Sequence, residues 1–223
     1  MSSNGADRPA RRVPVQRRSL DRLERIARAA GALCGEMGPE AVTMEAIAAR
    51  AETSVGSVYQ FYPNKDALLH AVAERYVADL LALLEAGDDA SEVATLPLDR
   101  LVDAVLEPFV AFHRVHPGYF AVLFAPQSTD ALRRVRGRLR ALLAARVERL
   151  FAARAPTVPP AQRRRLALTA VEAARALMQY IEVGVPRAAR APMRAELRAM
   201  LVAYLAPWLA QPQTPDASEE QRL

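Results

Sequence analysis

Apolar residues recur at every third or fourth position along most of this chain, and that spacing confines it to helical architectures. The first such run begins after Ser19, a residue type that caps helices, and continues from Leu20 to Met37. No segment alternates apolar and polar residues as a half-buried strand would, and only nine of the 223 residues are glycine. The sequence therefore predicts an all-α fold.

Prolines, glycines and capping residues divide this helical pattern into segments. Gly38 and Pro39 are expected to end the first helix. Two short helices are then predicted to begin at Thr43 and Ser54, whose hydroxyls suit the cap position, and Asn64 is predicted to cap a longer helix. Later helices are predicted over residues 97–116, 118–124, 129–154, 160–183 and 192–209.

The most informative stretch lies between Thr43 and Lys65, where a tight turn joins two short helices that lie between two longer ones. This is the arrangement of a helix-turn-helix, in which the second short helix enters the DNA major groove. The first residues of that helix are small, so its backbone could lie close to the bases. Gly56 would otherwise cost about 1 kcal/mol against alanine within a helix. The stretch therefore predicts a DNA-binding domain.

Three longer side chains near this helix suit contacts with DNA. Tyr59 and Gln60 are long enough to reach the sugar-phosphate backbone or a base edge, and glutamine can pair with adenine. Lys65, the sole lysine of the chain, lies at the start of the next helix. Its ammonium is predicted to bind a phosphate as a point charge.

A longer pattern over the same stretch reads Thr43-x-x-x-Ile47-Ala48-x-x-Ala51-x-x-Ser54-x-Gly56-x-x-Tyr59-x-x-Tyr62-x-x-Lys65, followed by Ala67-Leu68-Leu69. It resembles the DNA-binding signature of the tetracycline-repressor (TetR) family, over about residues 19 to 80. The resemblance implies that Thr43, Tyr59 and Lys65 hold phosphates. It implies a groove-facing set of Ser54, Val55, Gly56, Ser57 and Gln60. Two positions depart from the family pattern: Glu52 lies in a turn that lacks its customary glycine, and Tyr62 replaces the usual phenylalanine.

The chain is predicted to divide into a flexible basic arm (1–17), a three-helix helix-turn-helix domain (18–63), a helical ligand-binding and dimerisation domain (64–210) and a disordered tail (211–223).

One DNA-reading domain contacts too few bases for specificity, so we expect a homodimer on a palindromic operator in double-stranded DNA. The last two long helices carry broad apolar faces that suit a four-helix bundle between subunits, and the family resemblance implies the same arrangement. Alternatively, these faces are buried within their own subunit.

A small-molecule site is predicted from a cluster of aromatic and histidine residues, because an apolar cavity with few polar groups is typical of such sites. The predicted lining is Phe109, Phe112, His113, His116, Tyr119, Phe120, Phe124 and Met178. The alternative is that these residues form ordinary core. The family resemblance implies that a small apolar or aromatic effector binds here and releases the DNA.

Composition and motifs also bear on other functions. A formal net charge of +5 fits a polyanionic partner, whereas a non-specific architectural DNA binder would carry a larger charge. The sequence contains no nucleophile elbow, metal triad or nucleotide-binding loop, so it does not indicate an enzyme. His113 and His116 have no cysteine or carboxylate at the spacing of a metal site, so neither a metal nor a cofactor is expected. One cysteine and no apolar run of membrane length predict a cytoplasmic protein without membrane contact. The sequence does not distinguish a repressor from an activator.

Overall fold

The computed structural model describes residues 13–86, 90–126 and 129–210, and these segments form helices joined by short turns. In chain order the elements are α1 (Val13–Met37), α2 (Met44–Arg50), α3 (Val55–Phe61), α4 (Lys65–Glu85), α5 (Ala90–Thr95), α6 (Leu98–Val115), α7 (Tyr119–Phe124), α8 (Asp130–Arg154), α9 (Pro160–Gln179), one π-helical turn (Tyr180–Gly184) and α10 (Arg187–Leu209). The predicted all-α class is confirmed, and the described segments contain no strand. Most of the predicted arm and the whole predicted tail lie outside the described residues.

Three capping side chains determine where α2, α3 and α4 begin. The hydroxyls of Thr43 and Ser54 and the side-chain oxygen of Asn64 each accept a hydrogen bond from the backbone amide three residues further on, at 3.1, 3.2 and 2.8 Å. After α1, Gly38 adopts a φ of 81°, which glycine reaches without steric cost. The three predicted caps and the turn at Gly38 are confirmed.

The start of α1 was predicted wrongly. The helix begins at Val13 instead of after Ser19, so residues 13–17 belong to α1 and not to the arm. Pro14 falls in the first turn of this helix, where proline is tolerated because the backbone amide there needs no helical partner.

The C-terminal region also differs from the sequence-based prediction. The last helix begins at Arg187, and Pro192, which was expected to start it, lies inside it. An interior proline removes one backbone hydrogen bond and need not end a long helix that is packed along its length. Residues 180–183 were expected to continue α9 but form the π-helical turn, and the short helix α5 was not predicted.

Two glycines allow α1 and α7 to approach each other at backbone distance. A Cβ atom added to Gly118, just before α7, would lie 1.9 Å from the carbonyl oxygen of Gly31 in α1. A Cβ atom on Gly31 would lie 2.0 Å from the hydroxyl oxygen of Tyr76 in α4. At Gly118 the neighbouring atoms are backbone, so only glycine fits there, whereas a side chain at position 31 would displace the Tyr76 ring. The first helix of the DNA-reading domain is therefore in direct contact with the helices of the C-terminal domain.

A buried arginine connects three helix ends at the other end of the C-terminal domain. The side chain of Arg154 is 1% exposed, and its guanidinium donates to four backbone carbonyls. The carbonyls of Leu209 and Ala210 accept at 2.5 and 3.4 Å, and those of Ala94 and Leu96 accept at 2.9 and 2.5 Å. These carbonyls end α10 and α5, where helices carry partial negative charge. Arg154 thus joins α5, α8 and α10.

The turn between α2 and α3 contains a residue in a conformation that favours glycine. Glu52 has a φ of 51°, at the position where the sequence lacks the customary glycine. A non-glycine residue in the left-handed region costs about 1–2 kcal/mol. Glu52→Gly is expected to raise the free energy of unfolding by about 0.5–1 kcal/mol, because relief of this strain exceeds the extra chain entropy of glycine. Urea denaturation measures the change. The control is Glu45→Gly in α2, which is expected to be destabilising, and a loss of stability in both variants would contradict the prediction.

Candidate nucleic-acid interface and ligand cavity

The short helix α3 presents most of its side chains to solvent. Val58 is its buried residue and packs into the core, whereas Val55, Gly56, Tyr59 and Gln60 are exposed. Tyr59 is 48% exposed and lies one helical turn after Val55. Two large apolar side chains therefore lie together on the outer face of a seven-residue helix. This face includes four of the predicted groove-facing or phosphate-binding residues.

No contact with the described residues explains the glycine at position 56. A Cβ atom added to Gly56 would meet no atom within 4 Å. An alanine would fit there and would favour the helix by about 1 kcal/mol. The glycine at this exposed position is therefore not required by packing against the described residues.

Three predicted hydroxyls already take part in local hydrogen bonds. Thr43 and Ser54 accept from backbone amides as helix caps, and the Ser54 hydroxyl also donates to that of Ser57 at 3.0 Å. A hydroxyl has one donor hydrogen and two acceptor sites. Thr43 and Ser57 therefore each retain a donor hydrogen, while Ser54 uses its hydrogen within α3.

Lys65 has a different environment from the one predicted. Its ammonium donates to the carbonyl oxygens of Pro39, Glu40 and Val42 at 3.0, 3.2 and 3.1 Å. An ammonium has three donor hydrogens, so these carbonyls use all of them. In this structure Lys65 holds the turn between α1 and α2 against the start of α4, and a phosphate contact would require one of these bonds to break.

A cavity of about 950 Å³ lies within the C-terminal domain, between helices α4 to α10. Seven of the eight predicted residues line it: Phe109, Phe112, His113, Tyr119, Phe120, Phe124 and Met178. The eighth, His116, does not line it. Its ring packs instead against Tyr76 and Phe112, at centroid distances of 5.1 and 4.3 Å. His116 is the cap residue after α6, so the helical spacing that would place it beside His113 does not extend to it.

His113 is the buried polar residue of the cavity wall. Its Nδ1 atom lies 3.6 Å from the carboxylate of Glu182, which also accepts hydrogen bonds from Arg190 and Arg194 at 3.1 and 2.6 Å. Burial lowers the pKa of His113, and the nearby carboxylate opposes this only in part. The Nε2 atom is buried and has no hydrogen-bond partner among the described residues. His113 thus has, within the cavity wall, one buried nitrogen that the described residues leave unsatisfied.

Arginines of α8 and α9 also line the cavity, and the lining predicted from the sequence did not include them. Arg136 and Arg175 lie near the ring of Phe124, at 5.9 and 5.1 Å from its centroid. Glu172 and Arg175 form an ion pair at 3.0 Å, and both residues line the cavity. Polar residues at regular spacing on a long helix are usually assigned to solvent, and only the positions of α7 and α9 show that part of this face is enclosed.

The described residues contain neither a membrane-spanning helix nor a cluster of metal ligands. No helix among residues 13–86, 90–126 and 129–210 combines the length and the hydropathy that a bilayer crossing needs. In the same segments, no group of three or more histidine, cysteine, aspartate or glutamate side chains is arranged to hold a metal ion.

Comparison with known proteins establishes the family. Residues 26–72 match the model described as bacterial regulatory proteins, tetR family, and residues 97–205 match the model described as tetracyclin repressor-like, C-terminal domain. The chain belongs to the TetR family. Its helix-turn-helix is therefore the DNA-binding element of a transcriptional regulator, and the TetR fold points to a regulator that is not an enzyme.

Solved TetR-type structures share the fold at low sequence identity. A TetR-family transcriptional regulator from Streptomyces coelicolor has a TM-score of 0.67 at 20% identity, covering 84% of this chain and 82% of that one. A transcriptional regulator from Rhodococcus sp. Rha1 has a TM-score of 0.64 at 19% identity, covering 86% and 99%. The multidrug binding protein EbrR, complexed with imidazole, has a TM-score of 0.57 at 19% identity, covering 97% and 100%. No curated protein matches the sequence.

The last helix of this TetR-family chain has two apolar faces. One face is buried within the protomer and consists of Leu197, Leu201, Leu205 and Leu209. The other consists of Met200, Tyr204 and Trp208, at intervals of four residues, and all three are exposed, Trp208 by 43%. The alternative that the apolar residues of α10 are buried within their own subunit therefore holds for the leucine face only, and the second face is exposed in the protomer.

Proposed function

We propose that this TetR-family chain is a ligand-responsive repressor that binds a palindromic operator as a homodimer and is released when a small molecule occupies its cavity. The observation that carries the proposal is the outer face of α3. It combines an exposed Val55 and Tyr59 with a Gly56 that no contact among residues 13–86, 90–126 and 129–210 requires. A helix that lies in the major groove needs such a face.

Each residue near α3 has a proposed role at the operator. Gly56 lets the helix backbone approach the bases, and Val55 packs against a thymine methyl group. Gln60 reads a base edge, and Tyr59 donates to a phosphate oxygen. The hydroxyls of Thr43 and Ser57 donate their remaining hydrogens to the DNA. Ser54 caps the start of α3, and Lys65 positions the α1–α2 turn. A DNA-binding regulator of this kind acts in the cytoplasm, where its operator is.

The homodimer is proposed to form through α9 and α10. α10 carries the exposed stripe of Met200, Tyr204 and Trp208, and α9 carries the exposed Leu168. Two such helices from each protomer would form a four-helix bundle about a two-fold axis. Burial of these four side chains in that bundle would remove the largest apolar groups of this surface from water.

The ligand is proposed to release the DNA by moving α7. Tyr119, Phe120 and Phe124 of this helix line the cavity, and Gly118 immediately before it touches the backbone of Gly31 in α1. A ligand that displaces α7 would therefore also move α1, and through α1 the helix α2, on which α3 packs. A ligand that binds better to the displaced state would favour a spacing of the two α3 helices that does not match the operator.

The test is a mobility-shift titration of the full-length protein on the DNA upstream of its own gene, with excess unrelated DNA as competitor. The wild type is expected to shift a palindromic segment. Tyr59→Ala and Gly56→Ala are each expected to weaken this binding by about tenfold, corresponding to about 1.4 kcal/mol. Tyr180→Ala, which removes an exposed tyrosine distant in sequence from α3, serves as the control.

Three outcomes would contradict the proposal. Tyr59→Ala and Tyr180→Ala could weaken binding equally, the shift could be abolished by unrelated DNA, or Gly56→Ala could bind as tightly as the wild type. Gly56→Ala carries an internal check, because it is expected to be more stable by up to about 1 kcal/mol. Weaker DNA binding by a more stable protein cannot be explained by unfolding.

A further inference from the structure

The cavity wall carries an excess of positive charge. Among the described residues that line it are five arginines and two glutamates, which leaves a formal surplus of three positive charges. The arginines are Arg133, Arg136, Arg140, Arg146 and Arg175, and the glutamates are Glu107 and Glu172. Arg133 and Arg140 are exposed, and their charges are paired with Asp130 and Glu172. Charged groups that face a partly enclosed cavity lose solvation, so the energetic cost falls mainly on the half-buried Arg136, Arg146 and Arg175.

The charges and the apolar residues are unevenly distributed along the wall. Along α8, the first half lines the cavity with Arg133, Arg136 and Arg140, and the second half lines it with Leu143, Val147, Leu150 and Phe151. The division is not complete, since Leu139 lies in the first half and Arg146 in the second. The rise of 1.5 Å per helical residue separates position 136 from position 150 by about 21 Å. One end of the cavity wall along α8 is therefore richer in positive charge, and the other end is richer in apolar side chains.

The carboxylates of the wall do not neutralise the cationic region. Glu172 accepts from Arg175 at 3.0 Å and lies 3.9 Å from Arg140, so its charge is already shared. Arg136 donates to the carbonyl of Leu123 at 3.4 Å, and no carboxylate among the described residues lies within 4.0 Å of it. A half-buried guanidinium thus faces the cavity without a counter-ion, beside the ring of Phe124.

We propose that the ligand of this cavity is an amphipathic organic anion, with a carboxylate or phosphate head at Arg136 and an apolar body along Leu143, Val147 and Leu150. This inference rests on the proposed function, since it names the chemical class of the effector. A guanidinium binds either head through two parallel hydrogen bonds, which a hydroxyl or an ammonium cannot accept. A volume of about 950 Å³ accommodates a body of drug-like size.

The experiment compares four probes that share a twelve-carbon chain and differ only in the head group. Dodecanoate, dodecyl phosphate, dodecanol and dodecyltrimethylammonium are titrated into the full-length protein by isothermal calorimetry, below their micelle concentrations. At least one of the two anions is expected to bind at least about tenfold more tightly than the alcohol and the cation. The stronger of the two identifies the head group. Equal binding of all four, or tightest binding of the cation, would overturn the proposal.

Variants of α8 locate the head group. Arg136→Gln is expected to weaken anion binding by about tenfold and to leave the binding of dodecanol unchanged, since the glutamine keeps the polar contacts but not the charge. Arg134→Gln, an exposed arginine of the same helix that does not line the cavity, is the control and is expected to bind like the wild type. Equal losses in both variants would mean that general electrostatics, and not Arg136, attracts the anion, which would also overturn the proposal.

Operator binding is measured on the same preparations, so the two proposals fail in different ways. A protein that shifts its operator but shows no preference for anions contradicts only the assignment of the ligand. A protein that binds dodecanoate through Arg136 but shifts no DNA contradicts the repressor assignment and leaves the anion site in place.

Discussion

Replacement of Arg154 by methionine is expected to lower the free energy of unfolding by about 3 kcal/mol. The guanidinium is fully buried and donates to four carbonyls at the ends of α5 and α10. A buried carbonyl that loses its donor costs about 1–3 kcal/mol, and the relief of burying a charge offsets only part of that loss. Methionine has a similar length and fills the space, so the effect reports on the hydrogen bonds and not on a void.

The measurement is urea denaturation at one fixed protein concentration, because dimerisation would make the apparent stability concentration-dependent. Arg149→Met is the control. Arg149 lies on the same helix but is exposed, and its replacement is expected to change stability by less than about 0.5 kcal/mol. If the two variants were equally stable, Arg154 would not be the connection between the three helices.

The second large effect is expected from Gly118→Ala. The new methyl group would lie 1.9 Å from the carbonyl oxygen and 2.7 Å from the carbonyl carbon of Gly31. Since both atoms belong to the backbone, α1 and α7 must separate. Gly118 has a φ of −81°, which alanine adopts readily, so the cost is steric. Overpacking of this severity is expected to lower the free energy of unfolding by about 2–3 kcal/mol.

A matched glycine provides the control for this effect. Gly137 lies in α8 at the cavity, and a Cβ atom added there would meet nothing within 4 Å. Gly137→Ala is therefore expected to stabilise the protein by up to about 1 kcal/mol. The same two variants test the proposed route of release. Gly118→Ala is expected to weaken operator binding without any ligand, whereas Gly137→Ala is expected to leave it unchanged. Unaltered stability and DNA binding in Gly118→Ala would contradict the close contact between α1 and α7.

Local signals in the sequence were enough to predict the helix-turn-helix. The caps at Thr43, Ser54 and Asn64 act within three residues of themselves, so their effect does not depend on the rest of the fold. The same holds for the left-handed turn at Gly38. Most of the aromatic cavity lining was predictable for a related reason, since Phe109, Phe112 and their neighbours are concentrated in one short stretch.

Features that depend on contacts between distant segments were not predictable. Arg154 ends a helix whose other arginines face solvent or the cavity, and its burial depends on carbonyls that are 55–60 residues away. The ammonium of Lys65 meets carbonyls 23–26 residues earlier in the chain, which is why its predicted phosphate contact differs from its observed environment. The buried Glu182 and the arginines of the cavity wall are similar cases, because periodicity shows which residues share a face but not what covers that face.

The environment of Lys65 also has a practical consequence for chemical labelling. Its side-chain amine is the only one in the 223 residues, and in the folded state its three hydrogens are held by carbonyls of the α1–α2 turn. An amine-directed reagent can therefore report on a single internal position. The rate of that modification would measure how often the turn opens, so the chain carries its own one-site probe of motion in the DNA-reading domain.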